Sequence, residues 1–327
     1  PNLAQISTNG MKQLLSAPAS NQTFGLQAMT EEIHATFQIE SIHSSRNSIR
    51  HILNGYAPRN EEESRIYGMK RGLDFIADRQ NTITEENLHQ LYQISTGDYL
   101  PDEDRLLPDH FYRHDVVYVV GGEESREGLP AQQLPDAMKR LVDFANAKDG
   151  INELHKAAIL HFAFAYYHPY FDGNGRTARL LHIWYLVQQG YPAALFTPFS
   201  RYIAESKAAY YKAYDRIEKN ALISGYTDVT PFLSYFCNEV YNRLKVDVTP
   251  PQADLQVYQT ALAEGKITEK ERLLWEYVLS AYGTEEFTTK QLEKDFRNAA
   301  YATIRTFVMK FHEMGLLATR KAGNRVY

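Results

Sequence analysis

Residues 168–179 read HPYFDGNGRTAR, a short segment that holds a histidine, an aspartate, two glycines around an asparagine, and two arginines. If a helix begins near Gly175, its first backbone amides lack intrahelical partners and carry partial positive charge. Gly173 and Gly175 let the backbone adopt positive φ angles and let a ligand approach the main chain closely. The segment therefore predicts an anion-binding turn at the start of a helix.

The charged side chains of this segment point to phosphate chemistry. Arg176 and Arg179 lie at i and i+3 on one helix face, and two guanidinium forks suit an oligophosphate. Asp172 offers a hard oxygen ligand, and Mg²⁺ is usually held by one or two carboxylates together with phosphates. His168 titrates near neutrality and could take a proton from an incoming hydroxyl. These residues predict a phosphotransfer site, and the sequence contains no GxxxxGK[ST] segment that would offer a Walker-type alternative.

The elements that must position this segment are mostly helical. We expect a first helix to open at Thr30, and others to cover 44–54, 60–79, 84–95, 131–147, 152–167, 176–189, 203–219 and 229–245. The exception is the β-branched and aromatic run at 116–120, which Gly121 and Gly122 end. This run predicts one strand of a small hairpin inside a helical domain.

Length and composition limit the class of protein. A chain of 327 residues with 44% hydrophobic and 23% charged residues is typical of about two soluble domains. The net charge of −5 gives no general attraction to nucleic acid or to an anionic membrane. Cys237 is the only cysteine, which excludes a disulfide framework. No apolar run reaches the ~18 residues of a membrane span, and the first residues do not resemble a signal peptide, so we expect a cytoplasmic protein.

The composition changes near the paired prolines of residues 246–255, which predict a short stiff linker. Beyond it, three helical patterns over about 268–281, 288–296 and 299–314 precede two short strands, an order that resembles a winged helix. The expected organisation is a loosely structured lead-in (1–28), an N-terminal helical region (29–80), a catalytic core (81–246), a linker (247–266) and a winged-helix-like domain (267–327).

The segment HPYFDGNGRTAR resembles the signature of the Fic family, H-P-F-x-D/E-G-N-G-R-x-x-R, and departs from it only at Tyr170. The likeness covers roughly residues 30–245 and includes the strand at 116–120, in the place of the family's flap. It implies a mainly α fold with a small hairpin flap. The implied activity is that of a protein adenylyltransferase, which moves AMP from ATP to a Ser, Thr or Tyr hydroxyl of a target protein and releases pyrophosphate.

The resemblance also implies a role for each matching position. His168 would be the base, Asp172 would hold Mg²⁺ or Mn²⁺, and Arg179 would take the γ-phosphate. Asn174 and Arg176 would act with His168 in catalysis. The ATP-binding set would comprise Gly173, Asn174, Gly175, Arg176, Arg179, Val119, Val120, Gly121, Tyr210 and Tyr211, with the two tyrosines on the adenine side. The flap at 116–120 would bind a segment of the target protein by adding a strand at its edge.

A second short pattern suggests autoinhibition. Residues 36–41, TFQIES, resemble the family's inhibitory [S/T]-x-x-x-E-[G/N], except that Ser41 stands where Gly or Asn is expected. On a helix, Glu40 shares the apolar stripe of Phe37, the face expected to pack on the body. A carboxylate there needs a partner because burying it unpaired is costly. The family implies Arg179 as that partner, so that Glu40 would block the place of the γ-phosphate.

Other functions remain open at this point. Glu40 could instead position a water that removes AMP from a modified target. The C-terminal unit could bind DNA through Arg305 and Lys310, but ten Lys and Arg against eight Asp and Glu over 267–327 is a weak basic footprint. Protein docking or homodimerisation would use the same domain.

Two enzyme alternatives are less well supported by the residues. A kinase-like variant of the family transfers phosphate, but such proteins depart from the Gly-Asn-Gly-Arg pattern that this chain keeps. A metal hydrolase could use His114 with Asp115, or the histidines at 155, 161 and 168. Those histidines lack the i, i+4 spacing that places two ligands on one helix face.

Overall fold

The computed structural model describes residues 18–119, 126–243, 252–282 and 286–319, together with the pairs 321–322 and 325–326. Helices dominate these residues, and each of the two sheets found among them has two short strands. The mainly α fold class predicted from the sequence is therefore confirmed. The chain divides into two compact units, one containing residues 28–245 and the other residues 246–327.

The helices up to residue 243 follow the predicted pattern closely. They are α1 (Pro18–Ile39), α2 (Arg46–Leu53), α3 (Glu61–Ala77), α4 (Glu85–Ser95), α5 (Leu134–Asn146), α6 (Glu153–Tyr167), α7 (Asn174–Gln188), α8 (Phe199–Glu205), α9 (Lys207–Ser224) and α10 (Thr230–Tyr235). Ser45, Asn60, Thr84 and Asn152 each accept a hydrogen bond from a backbone N–H of the first turn. These side chains satisfy amides that a helix start leaves open, which explains why the starts were predictable.

Three boundaries differ from the prediction. Helix α1 begins at Pro18 rather than at Thr30, so part of the expected lead-in is helical; proline suits a first helical turn because it lacks the N–H that would go unbonded there. The helix expected at 203–219 is interrupted at Ser206, whose hydroxyl donates to Tyr202 O and competes with the regular helix pattern. The helix expected at 229–245 continues beyond α10 as a π turn (Phe236–Val240) and a 3₁₀ turn (Tyr241–Arg243).

Helix α7 is the centre of the first unit. Every residue from Arg176 to Val187 is buried, and α6 packs along it. A helix that is enclosed on all sides is a core element rather than an amphipathic surface helix. Its first two turns, which carry Arg176 and Arg179, are therefore held in place by the packing of the whole unit.

The predicted hairpin is present but shorter than expected. Strand β1 (Tyr118–Val119) pairs antiparallel with β2 (Arg126–Glu127), with Tyr118 opposite Glu127. Val116 lies before the strand, and its N–H donates to the Asp115 carboxylate at 2.7 Å. The predicted positions Val120 and Gly121 lie outside the described residues.

The second unit has the order of elements that the sequence predicts for a winged helix. Helices α12 (Glu269–Ala281), α13 (Thr289–Phe296) and α14 (Tyr301–Glu313) precede an antiparallel pair, β3 (Lys321–Ala322) and β4 (Arg325–Val326). The predicted linker contains a helix, α11 (Gln252–Ala263), because its alanine, leucine and glutamine residues favour helix once the prolines are passed.

One candidate DNA contact of this unit is already engaged. Lys310 pairs with Glu271 at 2.7 Å between α14 and α12. DNA binding and dimerisation by this unit stay predictions. None of the helices in the described ranges combines the length and the apolar composition that crossing a bilayer requires.

Candidate active site

The segment 168–179 forms a tight turn between α6 and α7. His168 follows the last residue of α6 and has a left-handed backbone, with φ 55° and ψ 60°. Gly173 precedes α7 and is also left-handed, with φ 81°. A left-handed conformation costs a non-glycine residue about 1–2 kcal/mol, so the surrounding structure must hold His168 in place.

The back of the turn is fixed by local contacts. The Asn174 side chain accepts from Tyr170 N at 2.9 Å and donates to Tyr170 O at 2.8 Å. The Tyr170 ring stacks on Tyr92 with a centroid distance of 3.6 Å. A Cβ on Gly173 would overlap the Thr96 methyl group. The Asn174 side chain therefore shapes the turn from inside, and the site can use this residue through its backbone amide.

The front of the turn presents donors to an anion. The Thr177 amide bonds back to Gly173 O, whereas the earlier amides of α7 have no residue in the helix to bond to. Arg176 is buried and donates from Nη2 to Asp172 Oδ2 at 2.9 Å. Its buried Nε has no hydrogen-bond partner among the described residues. An unpaired buried donor at a helix start is what an anionic ligand would satisfy.

Arg179 and Glu40 form the ion pair that the sequence predicts. Arg179 Nη2 lies 2.5 Å from Glu40 Oε1, and the Arg179 side chain is 3% exposed against 29% for Glu40. Arg179 Nε also donates to the Thr36 hydroxyl at 2.6 Å. Burial alone would lower the pKa of Arg179, but the nearby Glu40 carboxylate offsets this and the pKa is raised.

The Glu40 carboxylate also covers the start of α7. A Cβ on Gly175 would overlap Glu40 Oε1 and would lie 3.2 Å from Arg179 Nη1. Only a glycine leaves room for a carboxylate so close to the main chain. The Glu40 carboxylate therefore contacts the Arg179 guanidinium and also covers the backbone at the start of α7.

The end of α1 explains how Glu40 is aimed. Ser41 has a left-handed φ of 57°, and the amide of Ile42 bonds back to Phe37 O at 2.9 Å, as in a Schellman-type helix end. Glycine or asparagine suits such a position best, which is a physical reason for the residue that the inhibitory pattern expects there. Ser41 adopts the same conformation at some cost.

Upstream in α1, Glu32 anchors the helix to the body. It is buried and accepts from the backbone N of Ser200 at 2.9 Å and from its hydroxyl. Burial raises its pKa, although the bonds from Ser200 oppose the rise. No local pattern in the sequence marks this long-range contact.

The His168 ring is set up as a base. Its Nδ1 lies 3.2 Å from Ala165 O, and because a carbonyl oxygen can only accept, the proton of the neutral ring belongs on Nδ1. Nε2 then carries the free lone pair. Burial lowers the pKa of His168 to about 4, and the charges of Arg126 and Arg113 add to this effect. The ring is therefore neutral and able to accept a proton at pH 7.

The two predicted adenine-side tyrosines have different surroundings. Tyr210 is buried in the core, with its hydroxyl 2.9 Å from His161 Nε2. Tyr211 is partly buried; burial raises its pKa, with the negative charge of Glu40 adding and Arg179 opposing. Because Tyr211 is less buried than Tyr210, it is the better candidate for contact with a ligand.

Asp172 is the residue that fits a divalent cation. Its side chain is 54% exposed, and its oxygens accept from Gly173 N and Arg176, yet a carboxylate has about four acceptor positions. The described residues contain no cluster of three or more His, Cys, Asp and Glu that could hold a metal. A site made by one carboxylate and the phosphates of a ligand fits this arrangement, and the metal-hydrolase alternative gains no support.

The fold and the turn together define a helical protein with a buried arginine donor, unpaired in the part of the chain that the structure describes, at the start of a buried helix, next to a neutral histidine. One protein family has a sequence model that matches this chain. Residues 82–186 match the sequence model of the Fic/DOC family. This match confirms the resemblance to the Fic family that the sequence analysis found.

Two curated relatives are named as Fic proteins. "Protein adenylyltransferase Fic" of Drosophila willistoni is 29% identical over 144 residues, which are 41% of this chain and 26% of that protein. "Protein adenylyltransferase fic-1" of Caenorhabditis elegans is 30% identical over 181 residues, or 53% of this chain and 31% of that protein. The chain thus spans about a third or less of the length of these relatives.

A solved structure supports the fold. The crystal structure of a Fic family protein from Desulfovibrio desulfuricans G20 aligns with a TM-score of 0.61 and 17% identity, covering 99% of this chain and 92% of that one. At this identity the likeness concerns the fold alone.

Proposed function

We propose that this chain is an autoinhibited protein adenylyltransferase that transfers AMP from ATP to a hydroxyl side chain of a target protein. The observation that carries the proposal is the shared turn: the neutral His168, the amide start of α7 and the buried Arg179 all meet there. The names of the relatives support the same reaction.

The chemistry follows from the geometry of the turn. The target hydroxyl attacks the α-phosphorus of ATP, a new P–O bond forms, and the bond to the β-phosphate breaks so that pyrophosphate leaves. His168 Nε2 takes the hydroxyl proton, because Nδ1 is already engaged with Ala165 O. The amides of α7 and the Arg176 Nε stabilise the negative charge that develops on the phosphate oxygens.

The resemblance and the exposed carboxylate make Asp172 the residue that would hold Mg²⁺. When bound, the ion would neutralise phosphate charge and help to orient the leaving pyrophosphate. Tyr211 would lie beside the nucleotide.

The target would bind at the flap. Tyr118 of β1 is 64% exposed and Val116 just before it is 55% exposed, so apolar side chains at this short strand face solvent. An extended segment of the target could add a strand at this edge and gain both backbone hydrogen bonds and apolar contact.

Glu40 would act as the brake. It occupies the guanidinium of Arg179 and the space over Gly175, which are the groups that a γ-phosphate would need. ATP could then bind only in a pose that does not align the α-phosphate with the target hydroxyl, so basal transfer would be low.

The test is transfer of label from α-³²P ATP with Mg²⁺, using self-modification as the readout, for wild type, Glu40→Gly, and Glu40→Gly combined with His168→Ala. A matched control combines Glu40→Gly with His155→Ala, at the other end of α6. We expect label in Glu40→Gly and in the control, little in wild type, and none with His168→Ala.

Label that persists without His168 would refute its role as the base. Label from γ-³²P ATP rather than from α-³²P ATP would show phosphate transfer and would refute the proposed reaction.

A further inference from the structure

Arg113 is a buried cation in the segment just before the flap, and no pattern in the sequence marks it. Its side chain is 3% exposed. All three nitrogens of its guanidinium donate to backbone carbonyls: Nε to His168 O at 2.8 Å, Nη1 to Asp115 O at 2.5 Å, and Nη2 to Leu129 O. One side chain thus contacts the two stems of the flap, which are the segment before β1 (Asp115) and the segment after β2 (Leu129), and also the main chain of His168.

We propose that Arg113 is a positioning residue that makes the flap and the backbone of His168 one rigid piece. This inference rests on the proposed function. The rigid connection holds the target hydroxyl, which is bound at the flap, in register with His168 Nε2.

Backbone hydrogen bonds follow the same course. The amide of Arg113 donates to Pro169 O at 2.9 Å, and the amide of Leu129 donates to Tyr167 O at 3.1 Å. The segment before β1 and the segment after β2 are therefore each bonded to the turn that carries the histidine. The guanidinium lies where these segments meet.

Gly128 shows how closely they approach. A Cβ at this position would lie 2.8 Å from Arg113 Nη2, 2.9 Å from Val117 Cγ2 and 3.3 Å from the His168 Cβ. Its amide donates to Val117 O at 2.9 Å, which extends the pairing of the hairpin towards the turn. The flap stem thus packs directly against the histidine, with no space for a side chain between them.

An arginine suits this task better than a lysine. The acceptors lie in three directions, and the planar fork of a guanidinium reaches all three from one position, whereas an ammonium is a single donor centre on a flexible stem. Removing the guanidinium would leave three carbonyls at the junction without their donor. The bond to His168 O also holds the carbonyl of a residue in a strained left-handed conformation.

The first experiment reads the coupling without using activity. Amide hydrogen exchange is measured at Gly128 and Leu129 in wild type, Arg113→Lys and Arg113→Met. We expect protection of both amides to fall by about tenfold or more in Arg113→Met and by less in Arg113→Lys. In these variants, the local opening that exposes the amides no longer has to break the hydrogen bonds of the guanidinium.

The matched control is Lys156→Met. Lys156 is also a cation buried to 1% exposure that donates to a backbone carbonyl, Ala147 O at 2.6 Å, but it lies in the first turn of α6. About 12 residues of helix, or roughly 18 Å, separate it from the turn at 168. Equal loss of protection in this control, or none in Arg113→Met, would overturn the proposal.

The second experiment measures transfer with the Glu40→Gly protein as the reference. Adding Arg113→Met should lower the transfer rate to a target by roughly a hundredfold, as expected for a misplaced reactive group, while the Kd for ATP stays unchanged. Arg113→Lys should recover part of the rate. A fall in ATP affinity that accounts for the lost rate would overturn the positioning role.

The two arms separate the possible failures. If the Glu40→Gly protein transfers nothing, the proposed function fails, and the exchange data still decide whether Arg113 couples the flap to the turn. If Arg113→Met does not fold, Gly128→Ala replaces it, because its methyl group would force the same contact apart. Unchanged exchange at Leu129 in a folded Gly128→Ala protein would then refute the coupling.

Discussion

Replacing Glu40 by glycine should raise transfer and lower stability together. Its hydrogen bond to Arg179 is charge-assisted, and such a bond contributes about 1.5–3 kcal/mol. A γ-phosphate must displace it, so removing it should raise the transfer rate roughly tenfold to a hundredfold at about 1.4 kcal/mol per factor of ten. The same variant leaves a guanidinium that is 3% exposed without its carboxylate.

The stability cost can be bounded from the contacts that remain. Breaking a fully buried pair costs about 3–5 kcal/mol, but the Glu40 side chain is 29% exposed and Arg179 keeps the Thr36 hydroxyl. We therefore expect a loss of about 1–2 kcal/mol, since water replaces part of the carboxylate. For a unit of this size that corresponds to a fall in Tm of roughly 2–8 °C.

The assay combines label transfer with thermal unfolding, each with and without ATP and Mg²⁺. ATP should raise the Tm of Glu40→Gly more than that of wild type, because its phosphates supply the missing anion. Glu40→Gln separates the loss of charge from the loss of the side chain. Glu31→Gln is the control, since it breaks the contact of α1 with Arg46 and leaves Arg179 untouched.

Two outcomes would refute this reasoning. If Glu31→Gln activates as strongly as Glu40→Gly, loosening of α1 rather than the carboxylate governs activity. If Glu40→Gly is active but ATP stabilises both proteins equally, then Glu40 and the γ-phosphate do not compete for Arg179.

Three further predictions follow from the same region. Gly175→Ala should displace the Glu40 carboxylate and yet stay inactive, because its methyl group also blocks the approach of phosphate to α7; transfer assays that show activation would contradict this. Ser41→Gly should relieve a left-handed serine, stabilise the end of α1 by about 1 kcal/mol and lower basal transfer further, as measured by unfolding and labelling. Burial lowers the pKa of His182 to about 3, so the unfolded state binds more protons than the folded state between about pH 3 and 6.5. The contribution of His182 to the free energy of unfolding is then fully present above pH 6.5 and falls by about 1.4 kcal/mol per pH unit below it. Urea unfolding of His182→Phe should therefore show a smaller loss of stability in acid than wild type.

The turn at 168–179 could be predicted from sequence because its geometry is local. Glycines that permit positive φ, the arginine spacing and the order histidine, aspartate, helix start all lie within residues 168–179. The pair of Glu40 and Arg179 was also predictable, because a short inhibitory pattern marks Glu40 and the resemblance to the family implies Arg179 as its partner. Helical periodicity predicted which face of α1 packs on the body and that Glu40 lies on this face.

The remaining contacts depend on distant segments that periodicity cannot place. Arg113 acts on backbone carbonyls, and every residue type has a carbonyl, so no partner residue marks the contact in the sequence. Tyr210 and Tyr211 are adjacent and chemically alike, and only the packing of α9 decides that Tyr210 is buried in the core while Tyr211 is partly exposed. The left-handed Ser41 looked like a mismatch, yet its backbone conformation is the one that the pattern requires.

The proposed brake and the proposed catalysis both require an anion beside Arg179. Arg179 is enclosed in the core in the second turn of α7, and an enclosed cation requires an anion nearby whether or not nucleotide is bound. Glu40 meets that need from α1, with its carboxylate over the same glycine that would admit a phosphate. The proposed inhibition by Glu40 would therefore also stabilise the fold in the absence of ligand, and release of the brake would be an exchange of one anion for another. A trigger that merely pulled α1 away would leave the guanidinium unpaired, so we expect release to require nucleotide to be present at the same time.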